Sequence, residues 1–181
     1  WLLDWVAGRL DETYRLVLAT HLERCEHCRH EVRRLQTLGA AYIDSLAPTA
    51  LGADALTRTL ARAQAAGSVS NPPAASFAND ASPLHQRLLA RAQGRTPNPG
   101  RWQWRGRHIR VLPVLKTAQA EAFLLHIGAG ATIPAHGHCG QEMTLVLEGA
   151  ISDQHGLYQA DDLVVVGSDY QHRPVASGKP F

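Results

Sequence analysis

Hydrophobic residues in the first third of the chain recur every three or four positions, which is the period of an amphipathic helix. Leu2 and Val6 begin this pattern, and Asp11 is a residue type that favours a helix N-terminus. Because Pro cannot continue a helix, the pattern is expected to stop at Pro48. Four helices are predicted, from Leu2 to a break at Gly8, from Asp11 toward Cys25, from there to Pro48, and from Leu51 to near Gly67.

The pattern changes after residue 66. Residues 67–83 are rich in Gly, Ser, Pro and Ala and are predicted to be a linker. From about residue 100 the hydrophobic period becomes two, which is typical of strands separated by Gly-containing turns. We therefore predict an α + β protein with two domains, a four-helix domain over 1–66 and a β-sandwich or barrel over 84–181. The predicted strands cover 107–114, 122–127, 143–147 and 163–166.

Composition and charge exclude several classes of protein. The chain has 181 residues and a net charge of +2, so no global charge favours nucleic acid or a membrane surface as a partner. It contains no run of about 18 apolar residues and no secretory signal pattern, so neither a membrane span nor secretion is expected. Three cysteines suit a reducing compartment, and we expect a cytoplasmic protein. The chain starts without Met and ends abruptly at Phe181, so it is expected to be a fragment, truncated also at its C-terminus.

One segment is locally basic. Between Arg87 and Lys116 there are eight basic residues and no acidic ones. This segment allows the hypothesis of a DNA-binding repressor. Aromatic residues interleave with it only at Trp102 and Trp104, so a solvated edge of the β domain is the favoured interpretation.

The first candidate metal site is the string His21-Leu-Glu-Arg-Cys25-Glu-His-Cys28. On one helix, offsets of four and seven residues place the three side chains on one face. An imidazole and two thiolates form a ligand set that tetrahedral zinc favours, and a small helical module gains stability from a bound metal. The alternatives are a buried His with two core Cys, or a disulfide between Cys25 and Cys28. No residue of the chain is assigned as a fourth ligand.

The string resembles the H-x3-C-x2-C signature of zinc-binding anti-sigma domains. The neighbouring segments, Asp4 to Leu10 and Leu18 to Leu22, are also similar to that family, and the match covers roughly residues 1–66. In the family a further His lies some 25 residues upstream, which would fall before Trp1. The resemblance therefore implies a zinc ion held by His21, Cys25 and Cys28, with a fourth ligand outside this chain.

The second candidate site has the spacing G-x5-H-x-H-x3-E-x6-G, from Gly130 to Gly149. His136 and His138 lie two apart, so on a strand they point to the same face, and Glu142 returns beside them on the next strand. The spacing resembles motif 1 of the cupin superfamily, which implies a double-stranded β-helix or jelly-roll barrel. A third imidazole comes from a second hairpin in cupins, and His172 is the candidate here, although the family's P-x-G is replaced by Gly167-Ser168-Asp169.

The sequence allows two types of metal ion at the second site. Zinc held tetrahedrally by His136, His138, Glu142 and His172 would form a closed site for structure or sensing. An octahedral divalent ion such as Mn or Fe would leave two positions for substrate or oxygen. Cys139, between a ligand and a turn, is a further candidate as a redox-sensitive thiol.

The two motifs together resemble ChrR-type anti-sigma factors, which pair a zinc anti-sigma domain with a cupin. This resemblance implies a regulator that sequesters an ECF-type sigma factor through its N-terminal helices and releases it under oxidative stress such as singlet oxygen. Apolar side chains on those helices are expected to contact the sigma factor. The alternative is a cupin metalloenzyme, such as a small-molecule dioxygenase, with a helical appendage. The candidate contact residues are Leu2, Val6, Leu16 and Leu56.

Overall fold

A computed structural model of the protein describes residues 1–66, 84–92 and 101–177. The predicted linker, 67–83, lies outside these residues. The described residues form five helices, α1 (Leu2–Val6), α2 (Glu12–Leu22), α3 (Glu26–Asp44), α4 (Ala55–Ala65) and α5 (Leu84–Ala92). They also form ten strands, β1 (Gln103–Trp104), β2 (Ile109–Lys116), β3 (Glu121–Ile127), β4 (His136–Gly137), β5 (Glu142–Leu145), β6 (Ala150–Ser152), β7 (Leu157–Gln159), β8 (Leu163–Val166), β9 (Gln171–His172) and β10 (Val175–Ala176).

The helices follow the predicted pattern with one addition. Asp11 caps α2 as expected, because its carboxylate accepts a hydrogen bond of 2.8 Å from the backbone N–H of Thr13. The helix α3 ends at Asp44, just before Pro48. The short helix α5 was not predicted, because it falls in the region assigned to the β domain. The α + β class is confirmed, and four of the five described helices lie within 1–66. The four-helix zinc anti-sigma domain itself stays a prediction.

The strands pair antiparallel in four small sheets, ordered β1-β2-β3, β10-β6-β7, β4-β9 and β5-β8. The four strands predicted from the sequence correspond to β2, β3, β5 and β8. Over the described residues these ladders do not join into one closed barrel, so the expected barrel is present only as a cupin-like set of short sheets. Most strands have two to four residues, and the β2–β3 register shifts beside Pro113, which has no N–H to donate.

Both hydrophobic clusters of the core contain side chains of the helix α2. On one side Leu16, 2% exposed, joins a cluster with Leu88 of α5 and with Leu112 and Leu124 of the first sheet. On the other side Leu18 and Leu22 form a cluster with Val32 of α3, against which Met143 of β5 and Leu163 of β8 pack. The helix is therefore buried along two faces against the β-rich half. This packing fixes the position of its last residues, which include His21.

Contacts divide the chain into two compact units, and the division falls inside α3. Residues 1–35 belong to one unit together with 84–92 and 101–177, whereas 36–66 belong to the other. The domain bounds of 1–66 and 84–181 stay a prediction. None of the helices in the described ranges combines the length and the apolar character that crossing a membrane requires. The second unit carries several large apolar side chains that are exposed, namely Leu38, Tyr42, Ile43, Leu46, Leu51, Leu56 and Leu60.

Candidate metal centres

The structure brings His21, Cys25 and Cys28 together at the junction of α2 and α3. Their candidate ligand atoms all lie within 4.8 Å of one another. Nε2 of His21 is 3.3 Å from Sγ of Cys28, and the backbone N–H of Cys28 donates to Sγ of Cys25 over 3.4 Å. The expected single helix is corrected, because α2 ends at Leu22 and α3 begins at Glu26. The cluster therefore spans a turn between two helices.

The ring of His21 is held in the orientation that a metal ligand needs. Its Nδ1 lies 2.9 Å from the backbone carbonyl oxygen of Asp161, which can only accept a hydrogen bond. Nδ1 therefore carries the proton, and the lone pair of Nε2 faces the thiols. Burial lowers the pKa of His21 and outweighs the opposing effect of the Asp161 carbonyl. The lowered pKa favours the neutral imidazole, which is the form that binds metal.

The thiol of Cys28 is protonated in the absence of a cation. Burial, followed by the hydrogen bond with Cys25, raises the pKa of Cys28 to about 11. A cation placed between these groups would bind the thiolate and displace the proton. One imidazole and two thiols fit the ligand preference of zinc. Among the described residues, no fourth His, Cys, Asp or Glu joins this group.

The second cluster consists of His136, His138 and His172. Antiparallel pairing of β4 with β9 sets His136 directly opposite His172, and His138 follows two residues later. Nε2 of His172 is 3.2 Å from Nε2 of His136 and 3.2 Å from Nε2 of His138. Two nitrogens bound tetrahedrally to one zinc ion at 2.0–2.1 Å would lie about 3.3 Å apart. The spacing of the imidazoles therefore fits an ion bound between them.

Each of these imidazoles has an acceptor at its other nitrogen. Nδ1 of His136 is 2.9 Å from the carbonyl oxygen of Pro134, and Nδ1 of His172 is 3.1 Å from Oδ2 of Asp153. Nδ1 of His138 is 2.8 Å from Oε2 of Glu142. These acceptors place the protons on Nδ1 and turn three Nε2 lone pairs toward one point. Metal-binding histidines are oriented in this way.

Glu142 lies beside this cluster, and its carboxylate is directed at the outer nitrogen of His138. Its Oε1 also accepts a hydrogen bond of 2.8 Å from the hydroxyl of Thr144. The group whose candidate ligand atoms converge contains the three histidines without Glu142. Glu142 therefore orients the ring of His138 in this structure, and its role as a metal ligand stays a prediction.

Asp153 is a site residue that the sequence did not reveal. Its side chain is only 3% exposed, and it accepts hydrogen bonds from Nδ1 of His172 and, over 3.0 Å, from the hydroxyl of Tyr170. Burial raises the pKa of Asp153, but hydrogen bonds from the backbone of His155 and from His172 and Tyr170 hold it below its usual value. Asp153 lies 19 residues from His172 in a turn after β6, and no motif connects the two. Cys139 is an exposed free thiol outside both clusters.

The chain is similar to known proteins along most of its length. Residues 99–180 match the family model described as the ChrR cupin-like domain. The anti-sigma-E factor ChrR of Cereibacter sphaeroides is 34% identical over 175 residues, which cover 97% of this chain and 80% of that protein. This chain belongs to the ChrR family of anti-sigma factors. The chain is also similar to a chain in the crystal structure of Rhodobacter sphaeroides SigE in complex with the anti-sigma ChrR. The TM-score is 0.73 and the sequence identity is 32%, and the match covers 98% of this chain and 89% of that chain.

Membership in the ChrR family confirms the resemblance inferred from the two motifs. The curated relative is an anti-sigma factor, so a regulator is favoured over the alternative of a dioxygenase. The family model covers both halves of the His136, His138 and His172 cluster.

Proposed function

We propose that this chain is a cytoplasmic anti-sigma factor that sequesters an ECF-type sigma factor and releases it under oxidative stress such as singlet oxygen. The observation that carries the proposal is the 34% identity to anti-sigma-E factor ChrR over 97% of the chain. The similarity at a TM-score of 0.73 to a structure of ChrR with SigE supports the same partner class. Inhibition by occlusion of the sigma factor needs no chemical step. The helical part over 1–66 would bind sigma, and the cupin part over 84–181 would sense the oxidant.

The surface proposed for sigma binding is formed by exposed apolar residues of α3 and α4. Leu38 and Tyr42 are four residues apart and share one face of α3, and Leu46 follows two residues after that helix ends. Leu56 and Leu60 are likewise four apart on α4. We call these five residues the α3/α4 apolar surface. Apolar helix faces of this kind bind partners by burying their side chains in a groove or between helices.

The four residues predicted to contact the sigma factor differ in their exposure. Leu56 is 71% exposed and remains a candidate, whereas Leu16 is 2% exposed in the core and is not available for contact. The reason is that α2 packs on both sides against the β-rich half, which helical periodicity alone does not reveal. Leu2 and Val6 pack against the cluster of Leu18 and are only partly accessible. The candidate interface therefore moves from α1 and α2 to α3 and α4.

The two metal centres are proposed with separate roles. His21, Cys25 and Cys28 would hold zinc, and the ion would cross-link the end of α2 to the start of α3. His136, His138 and His172 would hold zinc or another divalent transition metal. Glu142 would complete that set if its carboxylate turns from Nδ1 of His138 toward the three Nε2 atoms. The remaining residues around the cluster hold the imidazoles in place.

The test is the affinity for the ECF sigma factor of the same organism that is most similar to SigE. Tyr42→Ala removes an aromatic side chain that is 69% exposed in the α3/α4 apolar surface, and Phe123→Ala removes one that is 52% exposed on β3. An aromatic side chain at the centre of an interface contributes about 2 kcal/mol, so Tyr42→Ala should raise the Kd about 30-fold. Phe123→Ala should leave it unchanged. Equal affinities of the two variants would contradict the surface, and no binding by the unmodified chain would contradict the function.

The sensing role has its own measurement. In the complex with sigma, exposure to singlet oxygen from an illuminated dye should release sigma from the unmodified chain. His136→Ala should bind sigma with unchanged affinity and release less of it, because the substitution lies in the cupin cluster only. His21→Ala should instead abolish sigma inhibition in the dark. Normal release from His136→Ala would contradict the assignment of the sensor.

A further inference from the structure

The turn between β7 and β8 contacts His21 near the end of α2 and Arg24, which lies two residues after that helix. The backbone carbonyl of Asp161 in this turn accepts the hydrogen bond from Nδ1 of His21 over 2.9 Å. Its carboxylate lies 3.3 Å from Nε of Arg24. His21 is only 6% exposed, so water has little access to replace this carbonyl. The outer partner of the N-terminal ligand is therefore supplied by the cupin half of the chain, 140 residues away in sequence.

The turn is held in an uncommon backbone conformation. Asp161 has a φ of 75°, in the left-handed region, which residues other than Gly, Asn and Asp seldom adopt. Two backbone hydrogen bonds to one residue secure it, from the N–H of Asp161 to the carbonyl of Val146 and from the N–H of Val146 to the carbonyl of Asp162. The direction of the Asp161 carbonyl therefore depends on a residue type that tolerates a positive φ.

We propose that this turn belongs to the N-terminal metal centre, because the Asp161 carbonyl positions His21 so that Nε2 faces Cys25 and Cys28. The inference rests on the proposed zinc centre and adds to it a dependence on the cupin half. Partners of this kind typically change metal affinity 10- to 100-fold when they are lost. Asp161 is thus a positioning residue for a metal that it does not touch.

The same turn is connected to the second cluster. The strand β8, which follows the turn, pairs with β5 along its whole length, with Leu163 opposite Leu145 and Val166 opposite Glu142. One end of this ladder contains Glu142, whose carboxylate contacts Nδ1 of His138. The other end lies next to Asp161, whose carbonyl contacts Nδ1 of His21. The ladder of β5 and β8 therefore lies between the surroundings of the two sites.

The experiment uses Co²⁺ as the probe, because its thiolate charge-transfer absorption arises only where cysteine binds it. Cys139 is replaced by Ser throughout, so that the signal comes from Cys25 and Cys28 alone. Asp161→Val places a β-branched side chain at a positive φ and should displace the carbonyl, whereas Asp161→Gly keeps that conformation open and removes only the carboxylate. We expect Asp161→Val to bind Co²⁺ at this centre about 10- to 100-fold more weakly. Asp161→Gly and Arg24→Ala should stay within about threefold, since the ion pair with Arg24 is exposed.

A second measurement does not depend on how the Val variant folds. In the zinc-loaded full chain, nitrogen NMR of the histidines should show His21 protonated at Nδ1 and slow to exchange that proton. Protonation at Nε2, or equal Co²⁺ affinity for the Val and Gly variants, would overturn the proposal while leaving the sigma interaction intact. Absence of the thiolate band in the unmodified chain would refute the metal centre itself. Failure to bind sigma is a separate result that refutes the proposed function instead.

Discussion

Glu23, at the C-terminal end of α2, forms a buried ion pair with α5. Its side chain is 5% exposed and lies 2.8 Å from Nη1 of Arg87, with a second contact to Arg91. The two guanidinium groups are themselves only 16% and 23% exposed. Replacing Glu23 with Ala would remove the carboxylate that lies between the partly buried guanidinium groups of Arg87 and Arg91.

The expected cost is large because of this burial. Removing one partner of a buried charge pair typically destabilises a protein by about 3–5 kcal/mol, since the remaining charge stays desolvated. The matched control is Glu121→Ala, which breaks a pair of 3.0 Å with Lys116 whose side chains are 46% and 75% exposed. An exposed pair contributes under about 1 kcal/mol. We therefore expect Glu23→Ala to cost several times more free energy of unfolding than Glu121→Ala.

Urea unfolding followed by tryptophan fluorescence measures both variants. The midpoint should fall clearly for Glu23→Ala with little change in slope, and it should stay near that of the unmodified chain for Glu121→Ala. Equal losses for the two variants would refute the reasoning. They would mean that the contact between Glu23 and α5 adds no more than a surface ion pair does.

Three further predictions concern titration and metal binding. Asp11→Asn should flatten the loss of stability that urea titrations show below about pH 4. Burial raises the pKa of Asp11, but hydrogen bonds from Thr13 and Thr117 outweigh it and hold the pKa below 3.8. The stabilising contribution of the carboxylate is therefore present above that pH and is lost as the pH falls through the folded-state pKa. Asp153→Ala should weaken metal binding at the cupin cluster about 10- to 100-fold in chelator competition, with Asp162→Ala as the unaffected control. Zinc added at pH 8 should release protons in calorimetry, because burial keeps the Cys28 thiol protonated with a pKa of about 11, and Cys28→Ser should reduce that release.

The sequence was sufficient for the features that depend on local spacing. The period-two stretches predicted β2, β3, β5 and β8, and the interval between His136 and His138 predicted two imidazoles on one side of a chain segment. The cupin spacing also begins and ends at glycines whose φ values are 72° and 74°, in the left-handed region where glycine is favoured. These features are set by residues within about twenty positions of one another. Short-range pattern is therefore a good guide to them.

The features that were not predicted depend on residues far apart in sequence. The hydrogen-bond partner of His21 is a backbone carbonyl 140 positions away. Every residue has a backbone carbonyl, so the sequence does not indicate which one is the partner. Leu16 has the same helical periodicity as an exposed interface residue, and only the packing of β2 and β3 against α2 shows that it belongs to the core. The helix α5 is short and lies beside the Pro-rich segment, so its apolar face was not distinguished from the β domain. In each case tertiary contact, rather than local propensity, decides the outcome.

The central claim is that the helical part of this chain binds an ECF sigma factor and prevents transcription. The most direct measurement is transcription in vitro from a sigma-dependent promoter, with core polymerase, the sigma factor of the same organism most similar to SigE, and increasing amounts of this chain. We predict that transcription falls to baseline near one chain per sigma factor, and that Tyr42→Ala shifts the titration to higher concentration. Transcription that continues unchanged in excess of the unmodified chain would contradict the account.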